Sequence, residues 1–149
     1  MTRAATRALE GGVLALDPGS VRVGVAASDA AVTVATPVGS FPRDPATLWP
    51  RLLREVRDRG VRHIVVGLPR RLDGSEGPAA AAARDLAAEA EDRTGVPCEL
   101  WDERFTTVQA ERQLIASGAR RRRRRDVVDA AAATLLLQSW LDSSARRRR

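Results

Sequence analysis

The chain has 149 residues, enough for one domain with a sizeable core and too few for two. At 44% hydrophobic and 30% charged it reads as soluble, ordered and globular, which excludes fibrous and disordered classes. One cysteine, Cys98, excludes an internal disulfide framework and a cysteine-built metal cage. Residues 1–12 hold no signal-peptide stretch, and the most apolar segment, Ala130 to Leu137, is too short to span a membrane. A reducing, cytoplasmic setting is expected.

The net charge of +6 is local. All 25 basic residues are arginine, and ten of them lie in two runs, Arg120 to Arg125 and Arg146 to Arg149. Outside those runs 15 arginines face 19 acids, a net −4. Arginine forks pair bidentately with phosphate, and blocks of like charge often serve as nucleic-acid arms, although such runs are also ordinary solvated segments. The lack of lysine excludes a Walker A phosphate loop. The one histidine, His63, starts a strand-like run and reads as structural.

In chain order, Val13 to Leu16 is a short apolar run that ends in the turn signal Asp17-Pro18-Gly19. Val21, Val23 and Val25 alternate as in a strand, and a third β-rich stretch runs from Val32 to Val38. Leu48, Leu52 and Val56 repeat at helical spacing up to Gly60, and Pro50 suggests a start near Thr47. Ile64-Val65-Val66 is a buried-strand pattern ending at Gly67. A turn-rich loop, Leu68 to Gly77, leads to an alanine-rich helix from Pro78 to about Arg93, and Cys98 to Trp101 makes a fifth strand. Thr106 with Gln109 has capping-box spacing for a helix that stops at Gly118, and a last helix spans roughly Asp126 to Leu141. The order βββαβαβαα predicts an α/β fold. Three antiparallel meander strands join two parallel ones in a mixed five-stranded sheet with helices on both faces, the ribonuclease H-like layout. The expected division is a flexible N-terminus over 1–12, one domain over 13–142 and a basic tail over 143–149.

Candidate chemistry lies at element ends, where open α/β sheets place their sites. Asp17 closes the first strand, Asp102 and Glu103 close the fifth, and Asp126 and Asp129 open the last helix. Carboxylates without histidine or cysteine suit hard ions such as Mg²⁺ or Mn²⁺, and a pair of such ions can activate water and stabilise the leaving oxygen of a phosphodiester. Each acid has a plainer reading as well. Asp17 initiates a turn, Glu103 pairs with Arg104 or Arg112, and Asp126 and Asp129 cap a helix.

Four stretches resemble, in order, the motifs of the YqgF/RuvX family. They are Leu16-Asp17-Pro18-Gly19-Ser20-Val21-Arg22-Val23-Gly24-Val25-Ala26-Ala27-Ser28-Asp29; Val66-Gly67-Leu68-Pro69 with Asp73-Gly74-Ser75-Glu76-Gly77; Trp101-Asp102-Glu103-Arg104-Phe105-Thr106-Thr107 with Ala110-Glu111; and Asp129-Ala130-Ala131-Ala132 with Leu136 and Gln138. The chain departs from the family pattern at Pro18, where an aromatic residue is usual, and in its all-arginine basic run. The resemblance implies a ribonuclease H-like nuclease, similar to the RuvC junction resolvases, that matures the 5′ end of pre-16S rRNA in ribosome biogenesis. It further implies that Asp17, Glu103 and Asp129 are the catalytic, metal-holding acids, with Asp102 the alternative to Glu103, and that Mg²⁺ or Mn²⁺ is the cofactor. Arg22, Arg70, Arg71, Arg104, Arg120, Arg121, Arg122, Arg123, Arg124 and Arg125 are the candidate phosphate contacts. Structured RNA (pre-16S rRNA or the ribosomal particle) is the expected partner, with branched DNA as a second possibility and no membrane; no dimer interface is legible. Three tryptophans, two phenylalanines and no tyrosine supply a poor stacking platform, so recognition should lean on phosphates and shape. Two other classes stay open: a non-catalytic RNA-binding assembly factor, and an actin-like nucleotide binder, for which the chain is short.

Overall fold

The computed structural model describes residues 11–105 and 122–147, with side chains at 11–104 and 129–144. The expected helix from Thr106 to Gly118 lies outside the described residues, as do Arg120 and Arg121. The rest follows the sequence closely. Strands β1 (Val13–Pro18), β2 (Arg22–Ser28) and β3 (Ala35–Pro42) lead to helix α1 (Pro45–Arg59) and strand β4 (His63–Leu68). Helix α2 (Pro78–Thr94), strand β5 (Cys98–Asp102), a 3₁₀ turn (Glu103–Phe105) and helix α3 (Arg122–Arg147) complete the described chain.

The sheet order is β3-β2-β1-β4-β5, with β1, β2 and β3 antiparallel and β1, β4 and β5 parallel. This is the mixed sheet that the pattern predicts. Side-chain alternation divides its core into two layers. Leu14, Leu16, Val23, Val25, Ile64 and Val66 face α1 and α2, while Val13, Ala15, Ala26, Val65 and Trp101 face α3. Central strands buried on both faces explain why β1 and β4 read as unbroken apolar runs. In α2 the buried stripe is mostly alanine, at Ala80, Ala83, Ala87 and Ala90, which lets the helix lie close to the sheet. Gly60 and Gly95 stop α1 and α2 in the left-handed conformation, with φ of 60° and 72°, that glycine adopts without strain.

Three elements differ in their boundaries from the sequence reading. The third strand begins at Ala35 and not at Val32, because the Asp29 carboxylate takes the backbone N–H groups that a strand would use. It accepts from Thr33 N at 2.7 Å, Val34 N at 3.0 Å and Thr33 Oγ1 at 2.7 Å. Val32 is held at φ 59°, a strained value for a β-branched residue, while its side chain is buried under α3. The strand then runs on to Pro42, and its two prolines are tolerated because β3 is an edge. Helix α1 begins at Pro45, which leaves Pro50 inside it; Pro50 and Ala46, whose carbonyl loses its partner, are both exposed to water.

The last helix begins at Arg122, a full turn before Asp126, and no acid lies in its first turn. The capping reading of Asp126 and Asp129 therefore fails, and Arg122 to Arg125 are helical where a loop was expected. The helix also continues to Arg147, beyond Leu141. Asp129, Ala132, Ala133, Leu136, Leu137 and Trp140 recur at three- and four-residue steps, so Asp129 begins the stripe that faces the sheet. Asp129 lies over Gly24, and Gln138 accepts from Ala35 N at 3.0 Å, so α3 runs against the direction of β1. Its first turn projects past the carboxyl ends of β1 and β4.

Candidate active site

The strand registers line up five residues in one row. Ser40 pairs with Gly24, Gly24 with Asp17, and Gly67 with Trp101, and the Leu16–Val66 pair sets Asp17 beside Gly67 one step on. Paired residues point to the same side of a sheet, and Ala15 and Trp101 identify that side as the one beneath α3. Asp17 stands mid-row, 1% exposed, with both carboxylate oxygens buried and a glycine on each neighbouring strand.

Those glycines hold open the space that the other two acids use. A Cβ on Gly67 would stand 2.8 Å from Glu103 Oε1 and 3.2 Å from Leu136 Cδ2. A Cβ on Gly24 would stand 2.1 Å from the Asp129 carbonyl oxygen and 3.2 Å from Asp129 Cβ. Glu103, 2% exposed, thus lies on the β4 side of Asp17, and Asp129 lies on the β2 side. Ser40 Oγ donates to Asp129 Oδ2 at 3.3 Å from the edge strand. Ser40 was not singled out from the sequence. A glycine inside each β pattern, Val23-Gly24-Val25 and Val66-Gly67-Leu68, was the available signal for a close approach.

Asp102 goes the other way. It follows Trp101 by one residue, so alternation turns it to the α2 side, where Arg104 grips it. Arg104 donates from its backbone N at 2.8 Å, from Nε at 3.0 and 3.2 Å, and from Nη2 at 2.7 Å, and Arg70 Nη1 lies 3.7 Å away. The Arg104 guanidinium holds the Asp102 carboxyl below the usual carboxylate range, and the same pairing raises Arg104. Of the two adjacent acids, Glu103 shares the face of Asp17.

The predicted phosphate contacts are dispersed. Arg70 also reaches Glu76 at 3.4 Å, and Arg71 donates to Ser75 Oγ at 3.3 Å and packs over Gly77. These hold the loop between β4 and α2, whose tip residue Leu72 is 99% exposed. Arg22 lies at the start of β2, where its carbonyl accepts from Gly19 N at 2.8 Å. The turn after Asp17 is further braced by the Arg43 guanidinium on the Gly19 carbonyl. Arg122 to Arg125 form the first turn of α3, described by backbone alone.

Two side chains stand outside the chemistry. His63 bonds Glu99 at 3.0 Å and stacks on Trp140 at the far end of the sheet, the structural role expected of it. Burial pushes the Cys98 thiol up to about 12, which keeps it protonated and a poor nucleophile. Among the described residues no three acid, histidine or cysteine side chains close into a ready-made cation cage. The donors around Asp17 are nonetheless all oxygen, the chemistry a hard divalent ion takes, and burying carboxylates side by side favours a cation among them. The residues fit such an ion.

The family model described as RuvX, Holliday junction resolvase, matches residues 11–143. The chain belongs to the RuvX family. A protein of Mycolicibacterium paratuberculosis named "Putative pre-16S rRNA nuclease" is 46% identical over 131 residues, 87% of this chain and 78% of its own length. One of Kineococcus radiotolerans with the same name is 49% identical over 110 residues, 72% of this chain, and the match spans 58% of that protein's length. Among solved structures, Thermus thermophilus RuvC in complex with a Holliday junction substrate shares the fold. Its TM-score is 0.56 at 15% identity, covering 90% of this chain and 96% of that one. A second Thermus thermophilus RuvC structure gives a TM-score of 0.52 at 13% identity, covering 91% and 96%. No helix among the described residues is long and apolar enough to cross a membrane.

Proposed function

We propose that this RuvX-family chain is a divalent-metal-dependent endonuclease that hydrolyses a phosphodiester bond in structured RNA. Its substrate is pre-16S rRNA at the 5′ end, and its setting is cytoplasmic ribosome biogenesis. The observation that carries the reading is the row across the sheet, where Asp17 stands between two glycines with Glu103 and Asp129 over the gaps. The names of the relatives support the substrate class.

Asp17, Glu103 and Asp129 would hold Mg²⁺ or Mn²⁺, which supplies water activation and charge stabilisation at the leaving oxygen when bound. The rest belongs to the chain. Ser40 holds Asp129 toward the row, and Leu136 and Trp101 close the apolar floor beneath the acids. Arg122 precedes Asp129 by seven residues, about 10 Å along the axis of the same helix, so Arg122 to Arg125 put positive charge on the approach to the acids, where it would offset their repulsion of phosphate. Arg120 to Arg125 supply the main phosphate contacts, with Arg70 and Arg71 on the loop above, and RNA binding falls steeply with added salt.

The test is cleavage of a pre-16S 5′-leader RNA and of a four-way DNA junction, each with Mn²⁺, Mg²⁺ or EDTA, by wild type and Asp17→Asn purified alongside. Metal-dependent cutting of the RNA, lost in Asp17→Asn, is the expected result. Cutting of the junction alone would move the substrate to DNA, as the family description suggests. Tight RNA binding without cutting in any metal would leave a non-catalytic assembly factor.

A further inference from the structure

Asp102 and Glu103 are neighbours that point to opposite sides of the sheet, and the chain must turn sharply between them. Strand β5 ends at Asp102, which is paired with Leu68 at the end of β4, and the 3₁₀ turn begins at Glu103. The Asp102 carboxylate closes this corner. Its Oδ1 accepts the backbone N–H of Arg104, two residues on, at 2.8 Å, which is a side-chain-built turn with Glu103 at its apex. Both of its oxygens also engage the Arg104 guanidinium, at 2.7 to 3.2 Å. The Asp102 carboxylate is 8% exposed while the Arg104 side chain is 34% exposed, so a buried acid is held in a multiply hydrogen-bonded, geometrically defined grip by an arginine at the surface.

The corner is held from outside as well. Arg104 Nη1 lies 3.1 Å from where a Cβ on Gly74 would stand, and Gly74 is at φ 88°, so the Asp73-Gly74 turn seats directly on the guanidinium. Arg70 reaches across from the same loop to Asp102 at 3.7 Å and to Glu76 at 3.4 Å, and Glu76 is tied to Arg84 of α2 at 2.7 Å. The loop between β4 and α2, itself tied to α2, thus holds the corner on which Glu103 is mounted.

We infer that Asp102 is a positioning residue, which through the Arg104 backbone N–H and guanidinium sets the aim of Glu103 over Gly67 toward Asp17. The inference rests on the nuclease reading for its consequence and on the geometry of the corner for its substance. Removing the carboxylate frees the corner and lets Glu103 sample other directions, although Glu103 itself is unchanged. Partners that orient a metal-holding side chain are typically worth 10- to 100-fold in metal affinity or rate.

The experiment compares wild type, Asp102→Ala, Asp102→Asn and Glu103→Gln in three readouts. They are exchange of the Arg104 amide and the ¹³C-carboxyl resonance of Glu103 by NMR, Mn²⁺ affinity by calorimetry, and kcat and KM on the leader RNA. In Asp102→Ala the Arg104 amide should exchange at least about tenfold faster and the Glu103 resonance should move. Mn²⁺ affinity and kcat should each fall about 10- to 100-fold, with KM for RNA within about threefold. Asp102→Asn keeps the Oδ1 acceptor and should recover the amide protection and part of the affinity. An unmoved Glu103 resonance in Asp102→Ala, with a well-folded spectrum, would overturn the inference. So would an Asp102→Asn that loses Mn²⁺ as completely as Glu103→Gln, since Asp102 would then be a ligand. If wild type neither binds Mn²⁺ nor cuts RNA, the nuclease reading fails alone, and the two NMR readouts still decide whether Asp102 aims Glu103.

Discussion

The α3-covered face of the sheet has two ends built on opposite plans. At the amino end of β1 and β4, polar groups are matched directly to one another. Glu99 receives His63 at 3.0 Å and the Trp140 indole N–H at 2.9 Å, Val13 N donates to Ser28 Oγ at 2.8 Å, and Gln138 ties α3 to Ala35 and Thr33. At the carboxyl end the strands present one acid, two glycines and a serine in a row, and two further acids lie over the glycines. Matched partners stabilise a corner; space kept by missing side chains and bordered by carboxylates costs stability, and it is this arrangement that the proposed metal site would use. One helix, α3, serves both ends, so its register sets the corner and the site together.

The sharpest way to break this contrast is to neutralise the row. Asp17→Asn, Glu103→Gln or Asp129→Asn should each lower RNA cleavage by roughly a thousandfold, about 4 kcal/mol of transition-state stabilisation, with RNA binding retained. Cleavage at the wild-type rate by all three variants in Mn²⁺ would remove the chemistry from this end.

Filling the glycine gaps comes next. Gly67→Ala places a methyl 2.8 Å from Glu103 Oε1, and it should cut the rate about 10- to 100-fold while changing stability by about 1 to 3 kcal/mol. Gly24→Ala meets the Asp129 backbone at 2.1 Å, so the helix itself must shift; it should cost more stability than Gly67→Ala in a urea melt. Ser40→Ala removes a single 3.3 Å hydrogen bond to Asp129 and should lower the rate about fivefold, near 1 kcal/mol, with no change in the unfolding midpoint of more than a degree or two.

The matched end should respond in the opposite currency. Trp140→Phe deletes the indole donor to Glu99 and should destabilise the fold by about 1 kcal/mol, read by chemical denaturation, while cleavage per folded molecule stays at the wild-type value. The smallest effect is the acid response of the Asp29 turn at the same end. Hydrogen bonds from Thr33 and Val34 lower the Asp29 carboxyl from 3.8 to about 2. Its folded value is the lower one, so its stabilisation is complete above about pH 4 and fades as the pH falls through about 2. The difference in melting temperature between wild type and Asp29→Ala should therefore narrow from pH 5 to pH 2.

Most of the fold was legible because it rests on apolar periodicity and on turn residues, which are local. One alternating stretch and short apolar runs located four strands, and Gly60, Pro78 and Gly95 bounded two helices to within a residue or two. The third strand was misplaced because a side chain, that of Asp29, outbid the β propensity of Val32 and Val34 for the backbone. The start of α3 was misplaced because a run of arginines looks like a solvated loop, whereas the helix that carries the packed stripe from Asp129 onward already includes Arg122 to Arg125.

By itself the sequence determined the element order, the parallel and antiparallel halves and the acids at element ends, since these follow from patterns a few residues long. Only the tertiary structure decided which acids belong together. Whether Glu103 or Asp102 faces Asp17 depends on a turn closed by Arg104, and whether Asp129 caps a helix or covers Gly24 depends on where α3 begins. The row itself joins β3, β2, β1, β4 and β5 through pairing registers, and register is a relation between distant segments that no single segment carries.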